Sequence, residues 1–232
     1  MSNGQPKKIR RFTVQFIIFH WAYALAFLIL YLTGLAMYTE FFDWMYVMFG
    51  GSAMARLIHR ISAVLFILSP IYLLIFDRKS FGHWIKQVVT WRKDDILFLL
   101  SFPKELFFGK ADAPKQDFYN GGEKLNSAMQ IVSFFLFVAS GIVMWFPQYF
   151  AGWIIDWSYP IHSIAVAMST MVVVGHIYLS VGHPNSRVSI EGMTTGMVPE
   201  KFAEHHHGRW YDELKEEEKK KQEQDKNQNK GA

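Results

Sequence analysis

The chain has 232 residues, of which 51% are hydrophobic and 17% aromatic, with a formal net charge of +4 and no cysteine. Without cysteine it carries no disulfide, ligates no iron–sulfur cluster and attaches no haem through thioethers. Its basic residues flank apolar runs and form no stripe, which reads as the cytoplasmic loops of a membrane protein and not as a nucleic-acid surface.

In chain order, Lys7-Lys8-Ile9-Arg10-Arg11 precedes an apolar run, Phe12 to Tyr38, that is too long for a signal-peptide core of ~7–15 residues. It is read as a retained first span. Three more runs reach the ~20 residues needed to cross a bilayer: Met54–Phe76, Leu125–Phe146 and Tyr159–Val181. All four are expected to be helices, because backbone polar groups in lipid must be satisfied internally. The loops Thr39 to Ala53 and Pro147 to Ser158 lack Lys and Arg and are rich in aromatics, among them Trp44, Tyr46, Trp153 and Trp157. The 2–3 connection carries nine basic residues from Arg78 to Lys124, Lys110 among them. The positive-inside rule then puts both termini in the cytoplasm.

Within that connection, Phe81 to Trp91 places Phe81, Trp84, Ile85, Val88 and Val89 near one helical face, which predicts a short amphipathic helix on the inner leaflet. Ile96 to Leu100 predicts a second dip into the interface, ended near Pro103. The division expected is 1–211 for the membrane domain and 212–232 for a charged tail, solvated helix or disordered.

Four histidines lie inside the spans: His20, His59, His162 and His176. An ionisable group in a membrane helix is a functional signal. His162 and His176 are fourteen residues apart, so both leave one face of the fourth helix at levels about 21 Å apart. With an inside amino terminus, His20 lies level with His176, and His59 with His162. Each pair can offer two neutral imidazoles to opposite faces of one haem iron, which predicts two b-type haems serving electron transfer. The third span has no histidine and is assigned to packing or to another site. His83 reads as interfacial, and His183 as a helix cap or, second to that, as a residue near a quinone. His205-His206-His207 reads as a solvent-facing or partner-facing stretch, since adjacent residues on one element rarely converge on one ion. A transporter or structural anchor with relay histidines is the contrasting class, but the spans are nearly free of the acidic partners a relay would use.

This layout resembles the gamma (cytochrome b) subunit of membrane-bound formate dehydrogenases, over Phe12 to about Tyr211. The histidine spacing carries the likeness, together with Asn120-Gly121-Gly122-Glu123-Lys124, Glu191-Gly192-Met193-Thr194-Thr195-Gly196 and the His-His-Gly-Arg-Trp-Tyr stretch ending at Tyr211. The resemblance implies an all-α four-transmembrane-helix bundle enclosing two b-type haems in a bacterial inner membrane. It further implies electrons arriving on the outer side from an iron–sulfur (beta) subunit, itself fed by a molybdenum or tungsten catalytic (alpha) subunit. They would pass the His59/His162 haem, then the His20/His176 haem, to menaquinone or another quinone held near Asn120, Gly122 and His176. Glu123 or Lys124 would be proton-relay candidates there, or an ordinary interfacial charge pair. Similar four-span diheme anchors serve hydrogenases and thiosulfate or other oxyanion reductases.

Overall fold

The computed structural model of the protein describes residues 7–108, 113–184 and 186–230; Lys110 lies outside them. A short strand, β1 (Lys8–Arg10), leads into α1 (Val14–Tyr38), whose first turn is capped by the Thr13 hydroxyl accepting the Phe16 N–H. After a 3-10 turn and the single-turn helix α2 (Tyr46–Phe49), α3 (Ser52–Phe76) returns along α1. Helices α4 (Arg78–Val89) and α5 (Lys93–Phe108) form the 2–3 connection. A second antiparallel pair follows, α6 (Gly121–Trp145) and α7 (Gly152–Ile177). After a wide turn come α8 (Ile190–Thr195), β2 (Met197–Pro199), α9 (Glu200–His206) and α10 (Gly208–Lys230). Strand β2 pairs antiparallel with β1, Ile9 facing Val198.

The helices α1, α3, α6 and α7 are long and apolar enough to cross a membrane, and their large outward side chains stay exposed. The protein is thus an all-α, multi-pass membrane protein. Between its helices lies an aromatic layer in which Tyr23 stacks on Phe66 at 4.3 Å and Phe66 meets Phe134 at 5.4 Å. Along the chain these residues fall between the two histidine levels. On α7 the buried positions are small, Ser158, Ala165 and Ser169, which lets neighbouring backbones come close.

Polar ties gather at the end of the bundle that carries the termini. Arg11 grips both Glu123 carboxylate oxygens, at 3.1 and 3.0 Å, and the Phe118 carbonyl at 2.6 Å. The Gly196 carbonyl accepts the backbone N–H groups of Arg11 and Phe12, so the Glu191–Gly196 motif straps the start of α1. Gly196 has φ +77, and a Cβ there would come within 2.6 Å of the Phe12 carbonyl oxygen, so glycine is required.

The outcome differs from the sequence reading in several places. The last span begins at Gly152, not Tyr159. Its 26 residues rise about 39 Å, so the aromatic first turns project beyond a ~30 Å hydrocarbon core, and Pro160 costs one hydrogen bond without ending the helix. Helix α5 likewise runs through Pro103. Helix α6 starts at Gly121 because Asn120 and Glu123 form a capping box, a signal that hydropathy does not register. Val89 is exposed while Val88 is buried, so the apolar face of α4 is narrower than expected. Helix α10 passes without a break through Tyr211.

Lys124 is not interfacial. It is fully buried, with Nζ 2.9 Å from Asp95 and 3.4 Å from Asp117, so it does not pair with Glu123. Asp117 also meets Arg209 at 3.0 Å and Arg92 at 3.4 Å, and Arg209 reaches Asp94. Burial alone would raise the Asp117 carboxyl, but these cations hold it below the usual carboxylate range.

Nor is His207 solvent-facing. It is 1% exposed, packs between Phe202 and Trp210, and binds the Asp117 carbonyl through Nδ1 at 3.0 Å. Burial first, then the nearby Arg11 cation, push its pKa down from 6.5 to about 3. A histidine kept neutral in the fold contributes stability that is complete above pH 6.5 and is lost as pH falls toward 3. Opening of α9 and α10 should therefore rise by roughly tenfold per pH unit at most below the unfolded-state pKa. Hydrogen exchange corrected for its intrinsic rate checks this, and His207→Gln should flatten the slope.

Candidate haem-binding histidine pairs

His20 projects from the second turn of α1, and His176 from the last turn of α7. Their ring centroids are 6.1 Å apart, with planes at 63°. Two metal–imidazole bonds of about 2 Å each, laid end to end, put two ring centroids about 6 Å apart. The pair therefore has the spacing of two ligands on opposite sides of one metal ion.

His59 in α3 and His162 in α7 occupy the far end and lie within electrostatic reach of each other. Each is held by a hydroxyl on its hairpin partner. Thr33 Oγ1 of α1 lies 2.8 Å from His59 Nδ1, and Ser140 Oγ of α6 lies 2.8 Å from His162 Nδ1. A glycine follows each hydroxyl. A Cβ on Gly34 would sit 3.6 Å from His59 Cε1, and one on Gly141 3.8 Å from His162 Cε1. The helix surface beside both rings is thus bare. Phe137 meets His162 edge-on at 5.3 Å.

These features fit haem. Nδ1 engagement leaves Nε2 of both far-end histidines as the ligating nitrogen, and the glycines leave room for a planar macrocycle beside the rings. Elsewhere in the interior, His20 Nδ1, Ser133 Oγ, Ser169 Oγ and both side-chain amide atoms of Gln130 are buried without a partner among the described residues. Such orphaned groups are uncommon in a finished core and mark a lining for a bound molecule.

Asn120 and Gly122 lie at the start of α6, and Glu123 beside them is within electrostatic reach of His176. The fold therefore brings the three expected quinone residues to one end. Asn120 has a second duty, since its Oδ1 accepts the Glu123 N–H at 2.9 Å. Its side-chain NH2 is the group that can donate to a carbonyl. A Cβ on Gly122 would crowd Asn120 Oδ1 at 3.3 Å. His183 caps the turn after α7, its backbone N–H bonding the Tyr178 carbonyl at 2.9 Å, as expected.

Sequence reasoning passed over Thr33 and Ser140. Their signal was a hydroxyl–glycine dipeptide inside an apolar run, occurring in the first and the third spans. The third span is thus more than packing, since it supplies the hydroxyl for His162.

The model of the prokaryotic cytochrome b561 family matches residues 11–196. The chain is 25% identical over 202 residues to the cytochrome b556 subunit of the nitrate-inducible formate dehydrogenase of Escherichia coli K12, covering 86% of this chain and 88% of that one. It is 29% identical to the formate dehydrogenase cytochrome b556 subunit of Haemophilus influenzae, covering 84% and 79%. It is also 29% identical to the F420 non-reducing hydrogenase II cytochrome subunit of Methanosarcina mazei, covering 74% and 66%. With four apolar helices and a family match across most of its length, the chain belongs to the prokaryotic cytochrome b561 family.

Proposed function

We propose that this chain is the membrane-anchoring diheme cytochrome b subunit of a formate dehydrogenase complex. Haem b is the cofactor that family membership implies. His59 with His162, and His20 with His176, would hold two of them. The observation that carries the reading is the 6.1 Å separation of the His20 and His176 rings; His59 and His162, within electrostatic reach of each other at the far end, supply a second pair.

A haem bound by two histidines supplies a one-electron carrier with no open iron position. The protein's own part is positioning and exclusion. Gly34 and Gly141 keep the helix surface bare, while Tyr23, Phe66 and Phe134 pack between the levels. The basic 2–3 connection supports cytoplasmic termini, and Arg56 and Arg60 are the outer-end exceptions within α3. Phe41, Trp44, Trp153 and Trp157, exposed at the far end, suit contact with an iron–sulfur subunit, with a molybdenum or tungsten catalytic subunit beyond it. Electrons would leave at the termini end to menaquinone or another quinone beside Asn120, Gly122 and His176. Residues 1–211 would form the cytochrome domain and 212–232 a charged tail, in a bacterial inner membrane. A hydrogenase partner is the second reading, favoured by the Methanosarcina mazei relative.

The test is a reduced-minus-oxidised spectrum of the purified chain, with identification of the subunits that co-purify. Absence of a b-type band would end the reading; a hydrogenase partner would select the second one. For the quinone, Asn120→Asp separates cap from donor. A carboxylate caps α6 as well as an amide does, but it has no NH2 to donate. Quinone reduction should fall about tenfold, as loss of one hydrogen bond of about 1.5 kcal/mol implies, while both haems remain reducible.

A further inference from the structure

The two histidine pairs are not equivalent. Thr33 Oγ1 lies 2.7 Å from the Ile29 carbonyl, one turn back in α1, and Ser140 Oγ lies 2.5 Å from the Leu136 carbonyl in α6. A hydroxyl has one proton. Unless that proton points at the carbonyl, two oxygen lone pairs face each other across these distances. The hydroxyls therefore donate backward to their own helices and have only lone pairs left for the histidines. His59 and His162 must then carry hydrogen on Nδ1, and the Leu30 carbonyl, also in reach of His59, favours the same tautomer. At the termini end, by contrast, His20 Nδ1 is buried without a partner among the described residues.

We propose that Thr33 and Ser140 are paired positioning residues that lock the far-end histidines in the Nδ1–H form and make that pair the stronger electron donor, so that the far-end haem is the lower-potential one. The inference rests on the haem reading above. A hydrogen bond from Nδ1–H raises the basicity of Nε2, as outer-shell partners of metal-bound histidines do. A more basic ligand favours the oxidised iron and lowers the midpoint potential. The orphaned His20 lacks this push. Electron transfer from the far end to the termini end is then downhill, and the direction is written into two hydroxyls. Their place on two different hairpins, 26 residues before His59 and 22 before His162, gives each ligand its own lock.

Spectroelectrochemical titration of the full chain in its complex tests this. The far-end component is identified as the one lost in His59→Ala. In wild type it should be the more negative component. It should shift positive in Thr33→Val and in Ser140→Ala, shift further in the double variant, and return to the wild-type value in Thr33→Ser. The other component should stay in place. A far-end component that is the more positive one, that does not move, or that moves only as much as its neighbour overturns the proposal. If a variant fails to take up haem, 15N shifts of labelled histidine in haem-free chain decide. A Nδ1–H form in wild type that becomes mixed in the variant supports the lock, and an unchanged tautomer overturns it. A wild-type chain without haem absorbance, or histidine variants with unaltered spectra, would instead fail the haem reading itself and carry this proposal down with it.

Discussion

On the proposed diheme reading, replacing His162 by alanine is expected to remove one of the two b-type haems and to leave the other in place. The total haem content, read as pyridine haemochrome, should fall by about half, because a bis-histidine iron held non-covalently depends on both axial bonds. His59→Ala should remove the same spectral component. His20→Ala and His176→Ala should remove the other one, since those two rings face each other at 6.1 Å. The four variants together test the pairing and not merely the presence of haem. If His59→Ala and His162→Ala removed different components, the two levels would be wrongly matched. If all four left both components intact, the histidines would not be the ligands. The hydroxyl bonds sharpen the comparison, because His162 and His59 are each held on one side by protein and the termini-end ring of His20 is not.

The second large effect is expected at Lys124. Its ammonium is fully buried, bonded to both Asp95 oxygens at 3.0 and 2.9 Å and to the Thr90 carbonyl at 3.2 Å. Asp95 is itself 1% exposed. Truncation in Lys124→Met leaves a buried carboxylate without its cation, which costs about 3–5 kcal/mol. Reversing the choice and neutralising both partners, Lys124→Met with Asp95→Asn, should recover much of that loss, because the penalty arises from the orphaned charge. Thermal unfolding in detergent measures the global cost. Hydrogen exchange over α5 and the start of α6 should locate it, since a Cβ on Gly121 would come within 2.4 Å of the Asp95 carbonyl oxygen and these two elements are therefore in direct contact. A Lys124→Met variant as stable as wild type would show that the cluster contributes little and that apolar packing alone holds the connection to α6.

The network explains why the late motifs recur to the same place. Arg209 reaches Asp94 and Asp117, His207 binds the Asp117 carbonyl, and Arg11 sits against Phe12 and Phe118 at 4.9 and 5.2 Å while it grips Glu123. The C-terminal elements thus close over the end of the bundle where α1 and α6 begin. Asn120 and Glu123, the latter within electrostatic reach of His176, owe their positions to this cover as much as to their own helix.

The sequence by itself determined the four spanning helices, the histidines they carry and the two levels at which those histidines fall. These are local properties: apolar length decides whether a helix can lie in lipid, and helical rise converts residue spacing into depth. Short signals that are also local were present but outweighed by hydropathy, as with the capping box at Asn120, the helix before Tyr159 and the hydroxyl–glycine pairs. Only the tertiary structure decided which groups the histidines meet and which charges are buried. The Thr33 bond to His59, the Asp95 partner of Lys124, the Asp117 carbonyl on His207 and the Glu123 partner of Arg11 each join residues 26 to 112 positions apart. No periodicity reports such pairs, because the energy that selects them comes from desolvating a polar group and finding it a partner on another element, which exists only once the helices are packed.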